Sequence, residues 1–67
     1  MITIKVNKEV KEFPSNVNIQ QMLTQLEIAQ QGIAVAVNES IVIKSAWNST
    51  ELRSNDDVLI IKATQGG

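Results

Sequence analysis

Val58-Leu59-Ile60-Ile61 is the one run of four large aliphatic residues in a chain of 67. A short apolar run of β-branched and aliphatic residues reads as a buried strand, extending here to Ala63. Asn55-Asp56-Asp57, just before it, has the composition of a turn. At the other end of the chain Ile2, Ile4 and Val6 alternate with Thr3, Lys5 and Asn7. That period of two marks a half-buried strand. Asn7-Lys8 can turn the chain, so that Glu9 to Phe13 returns as the second strand of a hairpin. Pro14 stops it, because proline has no N–H to give to a ladder.

Between these ends lies one helix and a second hairpin. Asn18 can accept from the first-turn amides, and Gln21 can reach back to complete a capping box. Ile19, Met22, Leu23 and Leu26 follow at the spacing of one apolar helical stripe, with Gln20, Gln21, Thr24, Gln25 and Glu27 on the wet side. The pattern predicts a helix over about residues 19–30, with Gly32 as stop or linker. Ile33 to Val37 reads as the third strand, with Ile33, Val35 and Val37 facing one way and Ala34 and Ala36 the other. Asn38-Glu39 turns the chain into a short fourth strand, Ile41 to Ile43. Residues 45–57 are polar and irregular, with Trp47 and Leu52 as isolated anchors.

The order is ββαβ(β)β, and a single helix covers only one face of so small a sheet. The expected fold class is α+β, with a mixed sheet of four to five strands and the main helix packed on one face. Parallel pairing of the first and last strands at the centre would make it a β-grasp; the order alone leaves that pairing open. We expect one domain over residues 1–63 and a flexible tail over 64–67.

Composition narrows the function. A chain this short buries only about 60% of its extended surface, and small domains often rely on disulfides or metal. This one has no cysteine and no histidine, so its core must be aliphatic and well packed, or a partner must help. The formal net charge is −1, and the basic residues Lys5, Lys8, Lys11, Lys44, Arg53 and Lys62 are scattered. With no basic stripe and only Phe13 and Trp47 as aromatics, nucleic-acid binding is not expected. No stretch is apolar and long enough to span a bilayer, and no export signal is visible, so the default location is the cytoplasm. A histidine-free chain of this size offers no convergent catalytic pocket. Asp56 and Asp57 read as a solvated turn.

The sequence closes on Gly66-Gly67. Glycine imposes no Cβ and little backbone restriction, so such an end can be threaded into a narrow enzyme channel, with the Gly67 carboxylate as an unhindered nucleophile. If the strand before it takes the parity that ubiquitin-like proteins show relative to such a tail, Val58 and Ile60 should face the helix and Leu59 and Ile61 the open side of the sheet. Ala34 and Ala36 would lie on that same side and permit close approach. Unless a loop covers it or the parity is inverted, this is an apolar patch of the kind that binds partners. Trp47 reads either as a core plug under the irregular loop or as an interface residue. The plug is favoured in so short a chain.

From Val35 the chain reads Val-Ala-Val-Asn-Glu-Ser-Ile-Val-Ile-Lys-Ser-Ala-Trp, followed by Leu52, Asp57, Val58 and the terminal Gly66-Gly67. In this order of motifs it resembles, from end to end, the ThiS family of sulfur carriers in thiamin biosynthesis, which is ubiquitin-like in fold. Ile43 stands where that family commonly has proline, Lys44 where arginine is frequent, and Asn55-Asp56-Asp57 where Asp-Gly-Asp is often found.

The resemblance implies a carrier that performs no catalysis and binds no cofactor or metal of its own. A ThiF-type enzyme would adenylate the Gly67 carboxylate with MgATP, recognising Gly66 and Gly67. Sulfur from a persulfide-bearing enzyme would then give a thiocarboxylate. A ThiG-type thiazole synthase would consume that sulfur. Leu59, Ile61, Ala34 and Ala36 would be the partner-binding residues. Two other readings stay open: a carrier for another pathway, such as the small subunit of molybdopterin synthase, and a non-covalent ubiquitin-like interaction module.

Overall fold

The computed structural model describes residues 1–62. The chain runs β1 (Ile2–Val6), β2 (Glu9–Phe13), α1 (Ile19–Gln25), β3 (Ile33–Val37), β4 (Ser40–Val42), a 3₁₀ turn (Lys44–Ala46) and β5 (Asp57–Lys62). The five strands form one sheet in the order β2-β1-β5-β3-β4. β1 and β5 pair in parallel at the centre, Lys5 with Asp57 and Val6 with Val58. Every other pairing is antiparallel. This is the β-grasp that the element order had left open.

Two hairpin turns set the register. Asn7 and Lys8 have φ of 50° and 70°, and Asn38 and Glu39 have φ of 50° and 71°. Positive φ at both central residues is the geometry of a two-residue type I′ turn, whose twist matches that of the strands it joins. The second turn pairs Val37 with Ser40, Ala36 with Ile41 and Val35 with Val42. The fourth strand therefore begins at Ser40 and ends at Val42, one residue earlier than the apolar run Ile41–Ile43 suggested.

The helix is shorter than its apolar spacing predicted. It ends at Gln25, not near residue 30, because Glu27 enters the left-handed region at φ 57°. The Glu27 N–H then donates to the Thr24 carbonyl (3.1 Å) and the Ile28 N–H to the Leu23 carbonyl (3.0 Å). These two bonds are the Schellman closure, and Ile28 packs back against the core, a contact that often accompanies the motif. Gly32 also has positive φ, 69°, and of its two expected parts it takes that of linker, leading into β3.

The start of the helix is fully accounted for. The Asn18 N–H donates to Gln21 Oε1 (3.0 Å) and the Gln21 N–H to Asn18 Oδ1 (2.7 Å), the expected capping box. The Ile19 and Gln20 amides donate to the Thr50 and Trp47 carbonyls (3.2 and 3.3 Å). All four amides that a helix start leaves without an intrahelical partner are thus paired, two of them by the loop after the 3₁₀ turn. That loop is no slack connection. Leu52 N–H donates to Val17 C=O (2.8 Å) and Asn55 N–H to Thr3 C=O (2.7 Å).

The core lies between the sheet and α1. Ile4 and Val6 of β1, Val35 of β3, and Val58 and Ile60 of β5 meet Ile19, Met22 and Leu23 of the helix. Trp47 is buried with them, and its indole N–H donates to the Val42 carbonyl at 3.0 Å. It is a core plug: the large ring fills the end of the core while its polar edge stays bonded. Among the described residues no buried side-chain polar atom lacks a partner. Among them, too, no helix is long and apolar enough to cross a membrane.

Candidate functional site

The face of the sheet opposite the helix is the candidate site. In an antiparallel pair, residues directly opposite each other share a face. Ala36 lies opposite Leu59 and Ala34 opposite Ile61, while Val35 and Val37 lie opposite Ile60 and Val58. The second set is the one that meets the core or its margin, so the first set faces away from the helix. Leu59 is 46% exposed and Ile61 47%, large fractions for such residues in a central strand. The parity expected from sequence is the parity observed.

Small side chains create the relief of this face. Ala36 is itself buried although it belongs to the outer side. It forms the floor of a hollow of about 150 Å³ between Leu59, Lys8, Glu39 and Asp57. Alanine at 34 and 36 keeps the surface low on β3, while leucine and isoleucine rise beside it on β5. A partner side chain could seat against the alanines and touch the walls.

The patch extends beyond the residues named from sequence. Ile41 lies opposite Ala36 on β4 and is 64% exposed. Ile43, two residues on and still extended, is 67% exposed on the same side. Leu59, Ala36 and Ile41 thus form one row across three strands. Both isoleucines were missed because β4 was read only as a short apolar strand. The signal was available: a two-residue turn at Asn38-Glu39 forces Ala36 to face Ile41. Val10 is a further exposed aliphatic on this face, opposite Lys5 on the far side of the sheet.

Charged residues stand beside the aliphatic ones on this face, Lys5 on β1 and Lys8, Glu39 and Asp57 around the hollow. Lys5 and Asp57 are register neighbours across the parallel pair. Asp56, by contrast, has a structural part: its carboxylate accepts from Asn38 Nδ2 (3.0 Å) and from the Arg53 N–H (2.7 Å). Asn38 Oδ1 in turn accepts the Asp57 N–H at 3.0 Å. Asp56 thus ties the β3–β4 turn to the entry of β5. No group of three or more potential metal ligands occurs among the described residues.

Gly66 and Gly67, the tail-recognition and modification residues expected from sequence, lie outside the described residues, as does the tail 64–67 as a whole. What the fold determines is their point of attachment. The chain leaves the centre of the sheet on β5, from the strand that carries Leu59 and Ile61.

Comparison with known proteins places this architecture. A sequence profile of the ThiS family matches residues 4–67. The sulfur carrier protein ThiS of Escherichia coli (strain K12) is 27% identical over 64 residues, covering 96% of this chain and 97% of that protein. The crystal structure of a thiamine biosynthesis protein (ThiS) from Geobacter metallireducens superposes with a TM-score of 0.85 at 22% identity, over 98% of this chain and all of that one. An NMR solution structure of a thiamine biosynthesis protein from the same organism gives a TM-score of 0.75 at 22% identity, over 98% of this chain and 88% of the other. At that identity the two structures establish the fold.

Proposed function

The chain belongs to the ThiS family, and from that premise we propose that the Gly67 carboxylate is the group this protein presents to its enzymes. It is a sulfur carrier of thiamine biosynthesis, a carrier protein and not an enzyme. The observation that carries the proposal is that the family match runs through Gly67 itself. The terminal Gly66-Gly67 therefore falls within the shared pattern and is not a stray extension of it.

The chemistry follows from what a carboxylate lacks. It is a poor electrophile, because its leaving group would be oxide. A ThiF-type enzyme using MgATP lets a Gly67 oxygen attack the α-phosphorus and expel pyrophosphate. The resulting acyl-adenylate has AMP as its leaving group. A persulfide sulfur then attacks the carbonyl carbon and AMP departs. A thiol cleaves the remaining sulfur–sulfur bond, leaving the C-terminal thiocarboxylate. The sulfur comes from outside, since this chain has no cysteine. A ThiG-type thiazole synthase takes up that sulfur.

The open sheet face is the docking surface for the activating enzyme. Leu59, Ile61, Ala34 and Ala36 bind it, with Ile41 and Ile43 widening the contact. Exposed aliphatic side chains beside a shallow alanine-floored hollow, itself edged by Lys8, Glu39 and Asp57, recognise a complementary partner surface and bring Gly67 to the nucleotide. Gly66 and Gly67 fit the enclosed approach because neither carries a side chain.

The test is intact-mass spectrometry after incubation with a ThiF-type enzyme, MgATP and a persulfide donor. One oxygen-to-sulfur exchange at the C-terminus is expected, with a thiol-selective label separating it from methionine oxidation. An unchanged mass, with no pyrophosphate released, would favour the non-covalent interaction module.

A further inference from the structure

The backbone of β5 is paired on one side only towards its end. Asn38 N–H donates to Asp57 C=O (2.8 Å), so the backbone groups of Asp57, and by alternation those of Leu59 and Ile61, point towards β3. Those of Val58, Ile60 and Lys62 point towards β1. Val58 C=O accepts the Asn7 N–H at 2.9 Å. The next donor, Ile60 N–H, finds no strand residue, because β1 has turned away at Asn7. It donates instead to the Asn7 side-chain oxygen at 2.8 Å. The β1–β5 ladder ends at the pair Val6–Val58, so beyond Ile60 N–H no residue of β1 stands beside Ile60 C=O and Lys62 N–H. The centre strand of the sheet becomes an edge strand at its far end.

We propose that an extended segment of the adenylating enzyme pairs with this edge, accepting from Lys62 N–H and donating to Ile60 C=O. The inference rests on the carrier reading and names how the enzyme grips the chain beside the apolar patch. Addition of a strand to an exposed edge supplies affinity through main-chain bonds. The occupant follows from reach. Five residues separate Lys62 from the end of Gly67, and at ~3.3 Å each they span about 17 Å when fully extended. A protein that encloses the Gly67 carboxylate must therefore bring its own surface close to the end of β5. The sheet's outer edges are less suited. β2 carries Glu9, Lys11 and Glu12, and β4 is only three residues long, both ways of discouraging strand addition.

Proline and alanine at position 62 separate backbone from side chain. Both remove the lysine, but only Lys62→Pro removes the N–H, and it does so on the side away from β3. Affinity for the ThiF-type enzyme, measured by calorimetry, should be about tenfold lower for Lys62→Pro than for Lys62→Ala, the scale of one intermolecular hydrogen bond. Equal affinities would overturn the proposal. Amide exchange on the wild-type chain guards against a folding defect in the proline variant. The Lys62 amide should slow on addition of the enzyme, and an unchanged rate would overturn the proposal independently. Slowing with protein concentration alone would assign the edge to a second copy of the chain, also overturning it. If the enzyme adenylates the wild-type chain while proline and alanine behave alike, strand pairing falls and the carrier reading stands. If the wild-type chain is never adenylated, both fall.

Discussion

The side-chain oxygen of Asn7 accepts the main-chain N–H of Ile60 at 2.8 Å, across 53 residues of sequence. Asn7 stands in the first hairpin turn at φ 50°. One residue thus reverses the chain after β1 and stands in for the strand residue that the reversal removes. Asn7→Gly keeps the backbone geometry and loses the bond, which should cost about 1 kcal/mol. Asn7→Ala loses the bond and adds left-handed strain, about 1–2 kcal/mol more. Denaturant unfolding should rank wild type above glycine and glycine above alanine. Alanine at least as stable as glycine would remove the turn from the explanation.

Glu27 invites the opposite result. It occupies the left-handed position of the helix closure at φ 57°, a place usually taken by glycine. Glu27→Gly should stabilise the domain by up to about 1 kcal/mol, seen as a raised melting temperature. A lowered one would mean that the glutamate side chain contributes more than the backbone strain costs.

The two sides of β5 give a paired test. Leu59→Asp and Ile61→Asp place a charge on the exposed face, so folding should persist. Binding to the adenylating enzyme should weaken, because the new charge must be desolvated against an apolar partner. Val58→Asp and Ile60→Asp place the same charge in the core and should unfold a chain this small. Circular dichroism and a binding titration on all four distinguish the cases. Normal affinity for both Leu59→Asp and Ile61→Asp would take the patch out of the docking surface.

The C-terminal prediction separates stability from function. Deleting Gly67, or replacing Gly66 by Val, should abolish pyrophosphate release by the activating enzyme. The thermal melt should stay close to wild type. Deletion shortens the reach by one residue, and valine restricts the backbone with a branched Cβ. Full adenylation of the Gly67 deletion would be incompatible with the carrier reading.

Much of this was legible in the sequence because each local signal agreed with the next. The alternation in Ile2–Val6, the cap at Asn18 and the two asparagine-led turns all lie in short windows, and each appears where its pattern put it. The faces of β5 were readable only with the ubiquitin-like resemblance, which assigned one residue; a period of two then fixed the others. The helix end was not. Apolar spacing through Ile28 is satisfied by a helix or by a Schellman return, and the positive φ falls on a glutamate, which carries no signature for it. The parallel pairing of β1 with β5 was open for another reason. It joins the two ends of the sequence, and no local pattern spans that distance. Ile41 and Ile43 were overlooked because hydrophobicity alone does not say which side of a sheet a residue takes.

The central position of β5 bears on how the protein is made. β1 with β2, and β3 with β4, can each form as a local hairpin, but only β5 joins them, and it comes last in chain order. Isolated two-stranded hairpins are at best marginal in water. A nascent chain therefore cannot close its sheet until the final strand has emerged, and its folding waits on non-local contacts that are inherently slow. A chain broken off before β5 is left with two unjoined hairpins and a helix without a core.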